Sequence, residues 1–485
     1  MAQRGVFEVT YVESLLWTLF GALLVAACDV PICLGIERLL ARSSRRNRQL
    51  LWCLLFIPLF TPTLLTGYAY ANFSLSLIRH TLMSRGLYLL LLGFKFLAVG
   101  TLTLVYTPPP ASPSSLHAAQ LLLPQSGGEI LWSLRIRSFL RRVVPCFAIL
   151  FVLVFQEFEL SSIMVTDTWT VRLFDEQALG VTVAESLRRA VVPVLIQIGF
   201  LTLCYSQMRW GTRLRENATQ LLKPLNFGSR TILWITVLAA VLLVTLFPFF
   251  FVSRSAGTGI LTVLKQKHTA SQLLVAVGYG LSTGLAAFFC ARWLTSNSLS
   301  DGKTAHLAKW LAPLLVIPGL FGSFLVSLSV QSLFQLDPLL FAYNSVIPAA
   351  IALFLFLLPR AVVVLLAMQQ AGPQEHLHLA RILPAEHSTK GAVHELQWRL
   401  LHQPAWLAAA ILCLWGYFEL TPLAILAPPG INSIMVQLYN QVHFGRGVIV
   451  SGLLLISVLV PMIILLVVFG GRKLFAVMPS WFMRR

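Results

Sequence analysis

The chain has 485 residues, 57% of them hydrophobic and 11% charged, with 36 Lys and Arg against 18 Asp and Glu and a formal charge of +18. A mean hydropathy of +0.79 excludes a water-soluble domain of this size and makes the chain an all-α polytopic membrane protein. Apolar runs of about 20 residues predict some eleven spans, near residues 15–36, 51–73, 87–106, 143–164, 191–208, 231–252, 273–294, 311–330, 339–366, 404–426 and 448–469.

In chain order, the first span holds Asp29 beside Pro31. An unpaired charge at that depth costs roughly 2.5–3.5 kcal/mol on insertion scales, so a partner is expected. Lys95 of the third span is the favoured one; in the competing reading Lys95 reaches toward the interface and Asp29 caps backbone loosened at Pro31. The second span carries Pro58 and Pro62, and the eighth Pro313 with Pro318-Gly319.

The basic residues lie mostly on one side if the N-terminus is outside. Arg38 to Arg48, Arg135 to Arg142, Arg209 to Arg230, Arg292 to Lys309, Arg360 to Arg399 and Arg472 to Arg485 then share the cytoplasmic loops and tail. This is the positive-inside bias, which places the C-terminus in the cytoplasm and explains the net charge without a nucleic-acid partner. The first apolar run lacks a basic segment before it, so a cleaved signal peptide is not expected. All seven cysteines fall in predicted spans without a CxxC pair, which points to packing rather than disulfides or metal. His376 and His378 open a histidine-rich loop with no acidic or Cys partner at a ligand spacing, so it reads as a polar interfacial loop and no metal is expected. No GxxxxGK[ST] occurs and no loop is long enough for a catalytic domain, so the chain is not expected to be an enzyme or to hold a cofactor.

A segment occurs twice. Residues 158–177 read FELSSIMVTDTWTVRLFDEQ and residues 418–441 read FELTPLAILAPPGINSIMVQLYNQ, each closing an apolar helix and resuming after a polar connection. The repeat divides the chain into halves of about 1–228 and 229–485, the second with an extra leading helix at 231–252. Glu159 and Glu419 are equivalent in this register, and either end a span in water or face the transport path.

The stretch Ala427-Pro428-Pro429-Gly430-Ile431-Asn432-Ser433, with Phe418-Glu419-Leu420-Thr421-Pro422 before it and Val436-Gln437-Leu438-Tyr439 after it, resembles ABC-importer permeases of the ferric-iron and thiamine type. Residues 23–38 (LLVAACDVPICLGIER) and the Pro58/Pro62 helix resemble the family's early spans. The resemblance implies the fold of a type I importer permease in which one chain fuses two halves. It also implies two cytoplasmic loops that dock on ATP-binding subunits, as short helices whose small residues fit a cleft. They would lie at Ala118 and Ala119 with Gly127 and Gly128, and at Ala380 and Arg381; neither copy keeps the family's acidic residue or glycine spacing.

The resemblance further implies a bacterial inner-membrane protein that receives a small solute, ferric iron or similar, from a periplasmic binding protein. Asp29, Lys95, Glu159 and Glu419 are then the candidates for its path. An ion-coupled secondary transporter, with Asp29 and Lys95 as the coupling pair, and a permease-derived scaffold that no longer transports are the alternatives.

Overall fold

A computed structural model describes residues 2–76, 81–107, 117, 121, 127–207, 226–266, 268–297, 303–371 and 403–477. The described residues form helices joined by turns, without a strand. The chain divides into two compact units, residues 1–250 and 251–485.

The first unit begins with α1 (Ala2–Arg42), α2 (Arg45–Phe60), α3 (Thr63–Ser76) and α4 (Thr81–Tyr106). It continues with α5 (Gly127–Phe155), the one-turn α6 (Glu159–Ile163), α7 (Trp169–Ala178) and α8 (Val183–Gln207). Here α1 packs on α4 and α5, α4 on α5, α5 on α8, α3 on α6, and α1 on α7. The interior is filled by Phe151, Phe155 and Trp169, with Trp169 Nε1 donating to the Phe155 carbonyl at 2.7 Å.

The long α9 (Phe227–Leu264) follows. Its π turn at Leu242–Leu246 loosens the backbone ladder and frees carbonyls for other partners. Hydroxyls of α3 take them: Thr66 donates to the Val244 carbonyl at 3.0 Å and Tyr70 to that of Leu243 at 2.9 Å.

The second unit has a similar order of helices, with an added short helix at Leu340–Tyr343. It contains α10 (Thr269–Asn297), α11 (Lys303–Gly319), α12 (Ser323–Phe334), α13 (Ile347–Ala371), α14 (Gln403–Phe418), the short α15 (Thr421–Leu426), α16 (Ile434–His443) and α17 (Gly447–Val477). Within it α10 packs on α13 and α14, α13 on α14, α12 on α15, and α10 on α16. These pairings have the same succession as those of α1 to α7.

The likeness reaches single hydrogen bonds. Thr168 Oγ1 caps α7 by accepting from Val171 N, and Ser433 Oγ caps α16 by accepting from Met435 N. At the other end, Leu179, Gly180 and Val181 N–H groups close on the carbonyls of Asp175, Gln177 and Glu176, while Phe444, Gly445 and Arg446 close on Asn440, Val442 and Gln441. Gly180 (φ 95°) and Gly445 (φ 66°) take the left-handed conformation that such an ending requires.

Among the described residues, eight helices are long and apolar enough to cross a membrane, and two bent pairs, α2–α3 at 69° and α11–α12 at 110°, raise the number to ten. The prediction of eleven also needs Pro404–Phe418, which is apolar but shorter. The bends have local causes. Thr61 precedes Pro62 and is extended (ψ 125°), as a residue before proline must be, whereas α11 ends at Pro318-Gly319 and restarts after Gly322 (φ 92°).

Several predicted limits move. The run at 143–164 is broken after Phe155, that at 404–426 after Phe418, and that at 339–366 between a short helix at Leu340–Tyr343 and the long one that starts at Ile347. Arg360, expected in a cytoplasmic loop, lies within α13. Pro31 does not interrupt α1, so Asp29 caps no broken backbone there.

Candidate functional site

The ionisable residues inside the first unit fall into separate groups. Asp29 is 5% exposed on α1. It faces α4 at Gly93, where an added Cβ would stand 3.1 Å from Asp29 Oδ1, so the glycine makes the room the carboxylate occupies. Asp29 Oδ2 has no hydrogen-bond partner among the described residues. Cys33, one turn further along α1, directs its thiol to the Leu97 carbonyl of α4 at 3.6 Å.

The expected pair of Asp29 with Lys95 is absent among the described residues. Lys95 is two residues beyond Gly93, and positions i and i+2 of a helix point to nearly opposite faces. Its ammonium instead donates to Thr63 Oγ1 at the start of α3, and its charge acts on Glu157.

Glu157 is not among the residues that the sequence pattern distinguishes. It lies in the break between α5 and α6, where Oε1 accepts from Leu160 N at 2.7 Å and Oε2 from Ser161 N at 3.1 Å. The carboxylate thus satisfies N–H groups that open α6 and have no partner within the helix. Tyr88 adds a hydroxyl donor to Oε2 at 3.4 Å. Two interrupted spans, α2–α3 and α5–α6, therefore meet at Lys95, Thr63 and Glu157. The signal in the sequence is a Glu three and four residues ahead of two small-helix N–H groups, masked by Glu159 beside it.

Glu159 is the first residue of α6, and Glu419 follows α14 immediately. Their equivalence needs correction. Ser162 N binds the Phe158 carbonyl and Ala424 N the Leu420 carbonyl, so Phe158 and Leu420 are the matching caps of α6 and α15. Glu419, one residue before its cap, matches Glu157 and not Glu159. The Phe-Glu-Leu identity is out of register with the helices by two residues.

In the second unit Arg360 donates to the Phe356 carbonyl at 2.7 Å and lies 3.5 Å over the Phe356 ring and 5.8 Å from that of Trp415. The aromatic faces shelter its charge. Its neighbour Pro359 packs against Gly319 at the α11–α12 bend, much as Lys95 meets the α2–α3 bend. Elsewhere in the second unit the Tyr279, Tyr417 and Thr421 hydroxyls are buried without partners among the described residues.

Two further sets of ion pairs serve the frame of the first unit. Arg142 of α5 holds Glu37 of α1, with side chains 7% and 11% exposed. Near α7, Glu176 pairs with Arg189 at 2.9 Å and Arg172 at 3.9 Å, and Arg189 also reaches Glu185 at 3.2 Å. Val165, in the loop before α7, has φ 53°, a strained setting for a β-branched residue.

Of the expected coupling loops, Ala118, Ala119, Ala380 and Arg381 lie outside the described residues, as do His376 and His378. Gly127 and Gly128 form the first turn of α5. No group of three or more His, Cys, Asp or Glu suited to a metal occurs among the described residues. No family model matches the chain, and neither a curated protein nor a solved structure does.

Proposed function

We propose that the chain is a membrane permease built from two repeats of one helical unit, and that it is the inner-membrane component of an importer driven by separate cytoplasmic ATP-binding subunits. The observation that carries the reading is the recurrence of seven helices in one packing order, each set with a bent span and a short helix at an ionisable residue. Interrupted spans in paired repeats are how many transporters place polar groups at membrane depth. In this reading a periplasmic binding protein delivers a small solute, ferric iron or similar. Closure of the ATPase subunits on the loops around Ala118 and Ala380 then rocks the two halves to open the path.

The test is uptake by cells expressing the chain with a candidate ATPase subunit. Co-purification with that subunit, and loss of ATP-dependent uptake in Ala118→Trp or Ala380→Trp at normal expression, is the expected result. The buried Asp29 oxygen, without a partner among the described residues, favours one other reading, an ion-coupled transporter. Uptake that ignores ATP and collapses with the proton gradient would select it.

A further inference from the structure

We infer that the first unit binds a small zwitterion of the amino-acid class in a cavity between the N-terminal ends of α1 and α4 and the start of α7. The cavity has a volume of about 90 Å3 and is lined by Glu13, Ser14, Arg85, Asp167 and Arg172. Its charged walls are two carboxylates and two guanidiniums contributed by three helices and a loop.

These charges do not cancel one another. Among the described residues no ion pair joins Glu13, Arg85 or Asp167 to anything, and Arg172 is paired to Glu176 behind the cavity. Both cations are anchored from outside it. Arg85 sits 4.5 Å over the Trp17 ring, and Arg172 Nε stands 3.9 Å from Glu176 Oε1. Side chains held from behind can turn their guanidinium edges to a ligand at little cost in side-chain entropy.

The backbone that carries Asp167 is also held in place. Thr166 N binds the Ser161 carbonyl at 2.8 Å, and Thr168 N binds the Thr166 carbonyl at 2.8 Å, so Asp167 is carried on a closed turn. The next residue but one ties that turn to α1, because Trp169 N donates to Thr18 Oγ1 at 3.1 Å. Thr18 in turn donates to the Ser14 carbonyl, one turn away in the cavity wall.

The charge pattern selects the ligand. A bare anion would meet Glu13 and Asp167, a bare cation would meet Arg85 and Arg172, and a metal ion lacks a third ligand among the described residues. A molecule with a carboxylate for the guanidiniums and an ammonium for the carboxylates matches charges of both signs, through charge-assisted hydrogen bonds. The volume limits it to a few heavy atoms, as in glycine or alanine. The assignment does not depend on how transport is energised.

The experiment uses the full-length chain in lipid nanodiscs without any ATPase, so the permease reading can fail without affecting it. Binding of tritiated glycine is measured, with acetate and methylammonium as competitors that each carry half of the charge pattern. Saturable glycine binding is expected, with both competitors at least tenfold weaker. Arg85→Gln and Asp167→Asn should each weaken glycine at least tenfold. Asp167 is exposed, so D167N keeps the fold if R85Q does not. Absence of saturable glycine binding, competitors as strong as glycine, or unchanged affinity in a folded D167N would each overturn the assignment.

Discussion

Asp29 and Lys95 occupy helices that pack together, yet they face away from each other: Asp29 is set against Gly93, and Lys95, two residues on, bonds Thr63 and acts on Glu157 through its charge. The two charges belong to different networks. Losses from Asp29→Asn and Lys95→Met should therefore add to within about 0.5 kcal/mol in a thermal-stability cycle in detergent. Lys95→Met with Glu157→Gln should behave otherwise, with an interaction energy of roughly 0.5–3 kcal/mol. Coupling between Asp29 and Lys95 and additivity between Lys95 and Glu157 would reverse the assignment.

Asp175 is exposed on α7, and in the charge-derived topology it lies on the outer side. A cysteine placed there should react with a membrane-impermeant maleimide added to intact spheroplasts. Reaction only after the cytoplasmic face is opened would invert the topology and remove the family argument with it.

Glycines of α9 provide a sharp pair. A Cβ on Gly259 would run into the Val448 carbonyl and Gly452, whereas one on Gly257 would meet nothing within 4 Å. Gly259→Ala should destabilise the protein by about 1–3 kcal/mol through forced separation of α9 and α17. Gly257→Ala should be neutral or slightly stabilising, because alanine favours the helix. Melting temperatures of the two variants decide it, and equal values would rule out the close crossing.

Burial pushes the Glu176 carboxyl above the ordinary carboxylate range, against the pull of Arg189 and Arg172. The folded state then holds that proton more tightly than the unfolded one. The associated stability is present below the unfolded value, about 4.5, and is lost as pH rises through the folded value. Arg189→Met removes the nearest compensation and should cost roughly 3–5 kcal/mol where Glu176 is ionised. The deficit should be larger at pH 8 than at pH 5 in melting experiments, and Glu176→Gln in the same background should flatten the difference. An equal deficit at both pH values would assign the loss to packing alone.

The prolines of the spans at 51–73 and 311–330 were visible in the sequence, but both spans read as continuous there, and their bends at Pro62 and Pro318 came from the structure. The helical class and the apolar stretches were legible in the sequence, because hydropathy acts locally. The place of Asp29 was legible for the same reason. Its partner was not: which face of α4 meets α1 depends on packing, and a two-residue offset reverses the answer. Glu157 escaped notice because matching the strings Phe-Glu-Leu favours Glu159, while the helix end that fixes the register is set by tertiary structure. The cavity joins Glu13 to Arg172 across more than 150 positions of chain, a proximity that no spacing rule encodes.

Glu37 and Arg142 are 105 residues apart, and this separation bears on how the protein is made. When α1 first leaves the ribosome, its Glu37 carboxylate has only Arg38 beside it as a counter-charge, and α2, α3 and α4 must be synthesised before α5 supplies Arg142. A buried carboxylate that lacks its main ion-pair partner is costly, so α1 gains from staying shielded at the insertion machinery until Arg142 arrives. On that ground the ion pair would favour release of the first unit into the bilayer as a bundle rather than helix by helix.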